Sequence, residues 1–236
     1  MNVEPIGRIH SCFKEKFGTP RQPGLVPSAT AVLELLPPFN VPEALRGVEE
    51  FSHLWILFLL DRSLCEQFQP TVRPPRLGGN RRVGVFASRS NFRPNPIGLS
   101  VVELRGVRGT ELDLAGGDFL DGTPVLDIKP YLPYADSLPT ACAGFAATAP
   151  EPLFSVTFSP EAEESVRVLE NRARPALRQL LVEMLRGDPR PAYQEEDPAR
   201  LFGTRLFDLN VRWRCAGGCV TVEALEVSGP DRGLSG

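Results

Sequence analysis

The sequence predicts a mainly β fold with a smaller α+β appendage, on three observations. Short segments of strand character recur from the amino terminus to about residue 131, separated by Pro- and Gly-rich turns. Alternating βα units are absent, as are a G-x-G-x-x-G after a strand and a G-x-x-x-x-G-K-[ST] loop, which removes a doubly wound sheet and the familiar phosphate cradles. Near residue 148 the pattern changes to two helical stretches followed by a hairpin.

The strand segments are "PIGRIH", "AVLELL", "LWILFLL", "RVGVFAS", "GLSVVELRGV", "TELDLAG" and "VLDIKPY", a spacing that fits a barrel or a sandwich. The helical signal among them is "PEALRG", a turn or two closed by Gly47. "ATAPEPLF" reads as a seam, giving domains 1–148 and 149–236. Ser159 then stands as an N-cap, with Pro160 at the first helical position and three glutamates in the opening turns, where they suit the helix dipole. In "PALRQLLVEMLRG", Leu177, Leu180, Leu181, Met184 and Leu185 fall at helical spacing before Gly187, a C-terminal stop. "FDLNVRWRC" alternates Phe207, Leu209, Val211 and Trp213 with polar residues, and "CVTVEALEV" returns after "AGG". The tail "SGPDRGLSG" reads as frayed.

Composition sets outer bounds. A chain of 236 residues, 42% hydrophobic and 23% charged, is an ordinary globular protein of one large or two small domains. "LWILFLL" is far shorter than the roughly 20 residues a bilayer demands, and "MNVEPIGRIHSCF" lacks the regions of a signal peptide, so a cytoplasmic protein is expected. The odd number of cysteines, at 12, 65, 142, 215 and 219, fits reduced thiols. Cys215 and Cys219 flank a turn; with no second Cys pair and few histidines, no metal is expected.

The net charge of −3 argues against a generic nucleic-acid coat, yet residues 67–102 hold no acid. Arg73, Arg76, Arg81, Arg82, Arg89 and Arg93 give that stretch a local charge of +6. A solvated face or an anion site would both look like this, and the arginine fork suits phosphates and carboxylates. In "TPRQPGL" two prolines hold Arg21 and Gln22 in an extended loop, presenting a guanidinium beside an amide. "GGDFLDGTPVLDIKPYLP" sets Asp118 and Asp121 in a turn before a strand bearing Asp127 and Lys129. Only His10 and His53 could serve a hydrolytic triad, and neither has the partners for one.

Together "EKFGTPRQPGL", "GVEEFSHLWILF", "PTVRPPRLGG", "GVFASRSNFRPNPIGLSVVEL", "DGTPVLDIKPYLP", "DPRPAY" and "FDLNVRWR" resemble the TsaA-like (TrmO) family of S-adenosylmethionine-dependent tRNA methyltransferases. The match is collinear from about residue 4 to about residue 227, and its carboxy-terminal motifs look like the bacterial form. The resemblance implies a non-Rossmann β-barrel methyltransferase domain with a small C-terminal α+β domain. It also implies a homodimer and methylation of N6 of threonylcarbamoyladenosine at tRNA position 37, in the anticodon loop.

Carried over by motif, cofactor contacts are expected from Arg21, Gln22, Pro23, Asp61, Arg62, Arg89, Leu99 and the turn Asp118, Phe119, Leu120, Asp121. "DRSLCEQF" departs there from the family's His-Gln pair. The expected tRNA contacts are Arg73, Arg76, Arg93, Asn95 and Lys129. In "RSNFRPNPIG" the prolines would fix a loop from which Arg89, Asn91, Arg93 and Asn95 project, with Gly98 letting the backbone approach a ligand. Asp118 and Asp121 are the expected proton acceptors, ahead of His53. A cofactor-binding sensor, or a methyltransferase with a non-tRNA acceptor, would share these features.

Overall fold

A computed structural model describes residues 2–63, 67–172, 174, 176–188, 190 and 197–227. The tail "SGPDRGLSG", Cys65 and all of "DPRPAY" except Asp188 and Arg190 lie outside the described residues. The chain divides into two compact units: Met1–His10, Thr30–Gly117 and Gly122–Pro150 in the first, and Ser11–Ala29, Asp118–Asp121 and Glu151–Gly236 in the second.

The first unit is built on β1 (Gly7–Ser11), β2 (Thr30–Leu35), β3 (His53–Leu59), the short β4 (Thr71–Val72) and β5 (Val83–Gly84), then β6 (Ile97–Arg108), β7 (Glu111–Ala115), β8 (Pro124–Pro130) and the single turn α1 (Pro133–Asp136). Six strands close into a barrel in the order β1-β2-β7-β6-β3-β8, sealed where Gly7 pairs with Val125 and Arg8 with Pro124. Alternate side chains point into the barrel: Ile9, Leu33, Leu54, Ile56, Val102, Leu112, Leu114 and Val125 are fully buried, as a barrel this narrow requires.

Gly98 has a packing role. It pairs with Phe58, and a Cβ there would overlap the Phe58 ring. The glycine expected to admit a ligand instead admits an aromatic side chain to the barrel.

"RVGVFAS" departs from its strand reading. Only Val83–Gly84 pairs, with Thr71–Val72, before the chain turns into a 3-10 helix at Val85–Ala87. Val85 is drawn inward to 1% exposure, its amide donates to the Pro70 carbonyl at 3.0 Å, and the Ser88 hydroxyl closes the turn on the Val85 carbonyl at 2.9 Å.

The second unit carries β9 (Ser155–Phe158), α2 (Pro160–Arg172), α3 (Leu177–Leu185), β10 (Phe202–Leu206), β11 (Leu209–Ala216) and β12 (Cys219–Val227). The sheet order is β10-β11-β12-β9, with β9 parallel to β12. The Ser159 hydroxyl accepts the Ala162 amide at 3.0 Å, the cap that the sequence predicts. Leu177, Leu180, Leu181, Met184 and Leu185 are all buried in one cluster with Leu209, Val211 and Trp213. Gly217 and Gly218, both at positive φ, turn β11 into β12, and Cys215 is buried while its hairpin neighbour Cys219 is not.

Candidate active site

In the first unit the loop of residues 88–96 leads into β6. Its stiffness comes from serines as well as prolines: the Ser88 hydroxyl accepts the Ser90 amide at 3.3 Å, and the Ser90 hydroxyl accepts the Phe92 amide at 3.2 Å. The Leu60 amide donates to the Pro96 carbonyl at 2.7 Å, fastening the loop to the end of β3. Arg89, Asn91 and Asn95 are exposed. Arg93 folds back instead, donating to the Ser88 carbonyl at 3.0 Å with its guanidinium carbon 5.7 Å from the centre of the Phe86 ring.

Asp61 and Arg62 lie in the 3-10 turn that follows β3. Arg62 has a neighbour that the sequence did not single out. Arg8 on β1 donates to the Gly122 carbonyl at 3.2 Å, and a Cβ on Gly122 would stand 3.7 Å from both the Arg62 and the Arg8 Nη atoms. Gly122 has φ +84, so the turn and the close approach both favour glycine. Two guanidinium groups therefore stand near one glycine, each of the kind that pairs with carboxylates and phosphates. Arg8 could have been found as the polar, outward member of a strand that alternates toward the turn after Asp121.

The remaining expected residues of this unit are spread out. Leu99, 52% exposed, points outward from β6 with Ile97, and both pair across to Leu57 and Leu59 of β3. Lys129 is ion-paired with Asp127 at 2.9 Å on the outer face of β8. His53 is exposed, its Nδ1 2.9 Å from the Ser52 hydroxyl. Arg73 is exposed, and Arg76 is hydrogen-bonded to the Thr148 carbonyl.

In the second unit Asp118–Asp121 runs beside Ser11–Phe13. Asp121 is a clip: its Oδ1 accepts the Ser11 amide at 2.9 Å, its Oδ2 takes the Lys14 ammonium at 2.7 Å, and its own amide donates to the Phe13 carbonyl at 2.8 Å. Asp118 and Leu120 are half-buried, and Phe119 is 1% exposed, so a ligand reaching this turn meets the Phe119 peptide rather than its ring. Arg21 is exposed, with Gln22 and Pro23 half-buried and the Gln22 amide folded onto the Arg21 carbonyl. The end of that loop is held by Glu183 of α3, whose Oε2 accepts both the Ser28 amide at 3.0 Å and the Ser28 hydroxyl at 2.6 Å. Burial alone would raise the Glu183 carboxyl, but the Ser28 and Gln179 donors outweigh it and hold it below its ordinary value.

Comparison with known proteins gives this arrangement its family. Residues 8–137 match the model of the tRNA-methyltransferase O N-terminal domain, and residues 151–228 match that of the TrmO C-terminal domain. The chain is 51% identical over 228 residues to a tRNA (adenine(37)-N6)-methyltransferase of Escherichia coli K12, covering 94% of this chain and 97% of that protein. It is 50% identical over 230 residues to a protein of Pseudomonas aeruginosa called a putative S-adenosylmethionine-dependent methyltransferase, RcsF, covering 98% and 99%. A crystal structure of TrmO from Pseudomonas aeruginosa superposes with a TM-score of 0.81 at 43% identity, over 96% of this chain and 98% of that one. With both domain models matched and near-complete relatives at half identity, the chain belongs to the tRNA-methyltransferase O family.

Proposed function

We infer that this protein is a tRNA (adenine-N6)-methyltransferase acting at position 37, with S-adenosylmethionine as methyl donor and threonylcarbamoyladenosine as the modified base. The observation that carries the reading is the near full-length 51% identity to the Escherichia coli tRNA (adenine(37)-N6)-methyltransferase. The donor is supported by the name of the Pseudomonas aeruginosa relative and by chemistry in the chain: the Arg8 and Arg62 guanidinium groups beside Gly122 suit an amino-acid carboxylate.

S-adenosylmethionine supplies a methyl group already activated by its sulfonium. The protein therefore has to orient, desolvate and accept one proton. Arg21, Gln22, Pro23, Arg62, Arg89, Leu99, Phe119 and Leu120 are proposed donor contacts; Asp61 is proposed to contribute through its backbone. As the N6–CH3 bond forms and the S–CH3 bond breaks, the urea-type N–H proton must pass to a base. Asp118 and Asp121 are the carboxylates proposed near it, and Asp121 already holds Ser11 and Lys14. Arg73, Arg76, Arg93, Asn95 and Lys129 are proposed on the RNA side, in the anticodon loop. The exposed apolar row of Ile97 and Leu99 supports a homodimer. A tRNA substrate supports a cytoplasmic site of action.

The test is methyl transfer to two matched tRNA pools, one carrying threonylcarbamoyladenosine and one lacking it, followed by nucleoside mass spectrometry. A gain of one methyl in the modified pool alone is expected. A gain in neither, with donor still bound, overturns the reading in favour of a sensor; transfer only to other acceptors overturns the tRNA assignment.

A further inference from the structure

We propose that Phe68 and Phe86 form a stacking platform for unpaired bases of the RNA loop, alongside whatever residues receive the target adenine. This rests on the tRNA reading above and names a surface that the reading does not assign.

Both rings are exposed, Phe68 at 56% and Phe86 at 70%, although each is large enough to reward burial. They are held together. The two-stranded ribbon pairs Thr71 with Gly84, which brings the residue three before Thr71 next to the residue two after Gly84. The ring centres stand 6.3 Å apart with planes inclined by 28°, a stacked pair. The Arg93 guanidinium lies against the Phe86 ring, its own position fixed by the Ser88 and Val85 carbonyls at 3.0 and 3.4 Å. Val85, buried at 1%, anchors the turn from which Phe86 projects, so the platform has little freedom left to lose.

Charge chooses the occupant. The pair sits in the stretch of residues 67–102, which holds six arginines and no acid. Burying this surface against a second copy of itself would bring like charges together, whereas RNA supplies phosphates for the arginines and π-faces for the rings. Aromatic rings and arginine planes in a basic surface are how proteins hold splayed, unpaired bases.

The experiment measures affinity of the full chain for an anticodon stem–loop RNA and for a fully paired RNA of equal length, each over a range of salt. The wild-type protein is expected to prefer the loop. The Phe68→Ala, Phe86→Ala double variant should bind the loop about 5- to 150-fold more weakly, the range expected for one stacked base, with little change on paired RNA and an unchanged salt slope. Phe86→Trp should retain loop binding, which separates stacking from misfolding. Equal loss on both RNAs, no loss on either, or no wild-type preference overturns the platform; so does a shift of the double variant to monomer, which would make the pair a protein interface. Donor binding and methyl transfer by the wild-type protein are measured in parallel, so a failure of the enzyme reading is distinguishable from a failure of the platform.

Discussion

The Phe58 ring occupies the space that a Cβ on Gly98 would need, across a directly paired position of β3 and β6. Gly98→Ala should therefore destabilise the protein by about 1–3 kcal/mol through overpacking, measurable by denaturant unfolding. Phe58→Leu in the same chain should restore part of that loss. Unchanged stability with weakened donor binding would return Gly98 to the ligand.

Asp118 and Asp121 are separable by kinetics. Because Asp121 holds Lys14 and the Ser11 amide, Asp121→Asn is expected chiefly to weaken donor affinity. Asp118→Asn is expected to lower kcat by about 10²–10⁴-fold with donor affinity intact, the usual cost of losing a general base. Calorimetric donor titration beside single-turnover methyl transfer reads both, and the reverse pattern would exchange their roles.

Glu183 gives the Ser28 loop a pH dependence of known sign. Its carboxyl is depressed in the folded state, so its contribution is present above the unfolded-state value, about 4.3, and is lost as pH falls through the lower folded-state value. Glu183→Gln keeps an acceptor for Ser28 but removes the titration. The wild-type melting temperature should fall more steeply than the variant's over that acid range; parallel curves would show that the clip carries no linkage.

Leu99 tests the proposed dimer. Its side chain is half exposed within the chain, so Leu99→Arg should leave thermal stability within about 0.5 kcal/mol of the wild type if the protein is monomeric. In a dimer joined through this face, the variant should elute at half the mass in light-scattering chromatography. A dimer that survives the arginine places the interface elsewhere.

Much of this molecule was legible along the chain because its signals are local. Short segments of strand character between Pro- and Gly-rich turns found β1, β2, β3, β6, β7 and β8, and Ser159 with the Leu177–Leu185 stripe found both long helices. β9 and β10 escaped: β9 falls in the few residues between the Pro-rich seam and the Ser159 cap, and its partner β12 is more than sixty residues away. "RVGVFAS" misled because Val85 is apolar for a different reason, burial beneath a turn.

By itself the sequence determined six of the barrel-unit strands, both long helices and the β11–β12 hairpin, the acid-free arginine stretch and, through its motifs, the family. Only the tertiary structure decided that the strands close β1 on β8, that Arg8 joins Arg62 over Gly122, that Arg93 turns back on Phe86, and that Phe68 meets Phe86 in the open. Alternation reports which face of a strand is buried and nothing of which strand lies beside it. Closure of a barrel and convergence of distant charges are set by pairing between residues far apart in the chain, which no local pattern encodes.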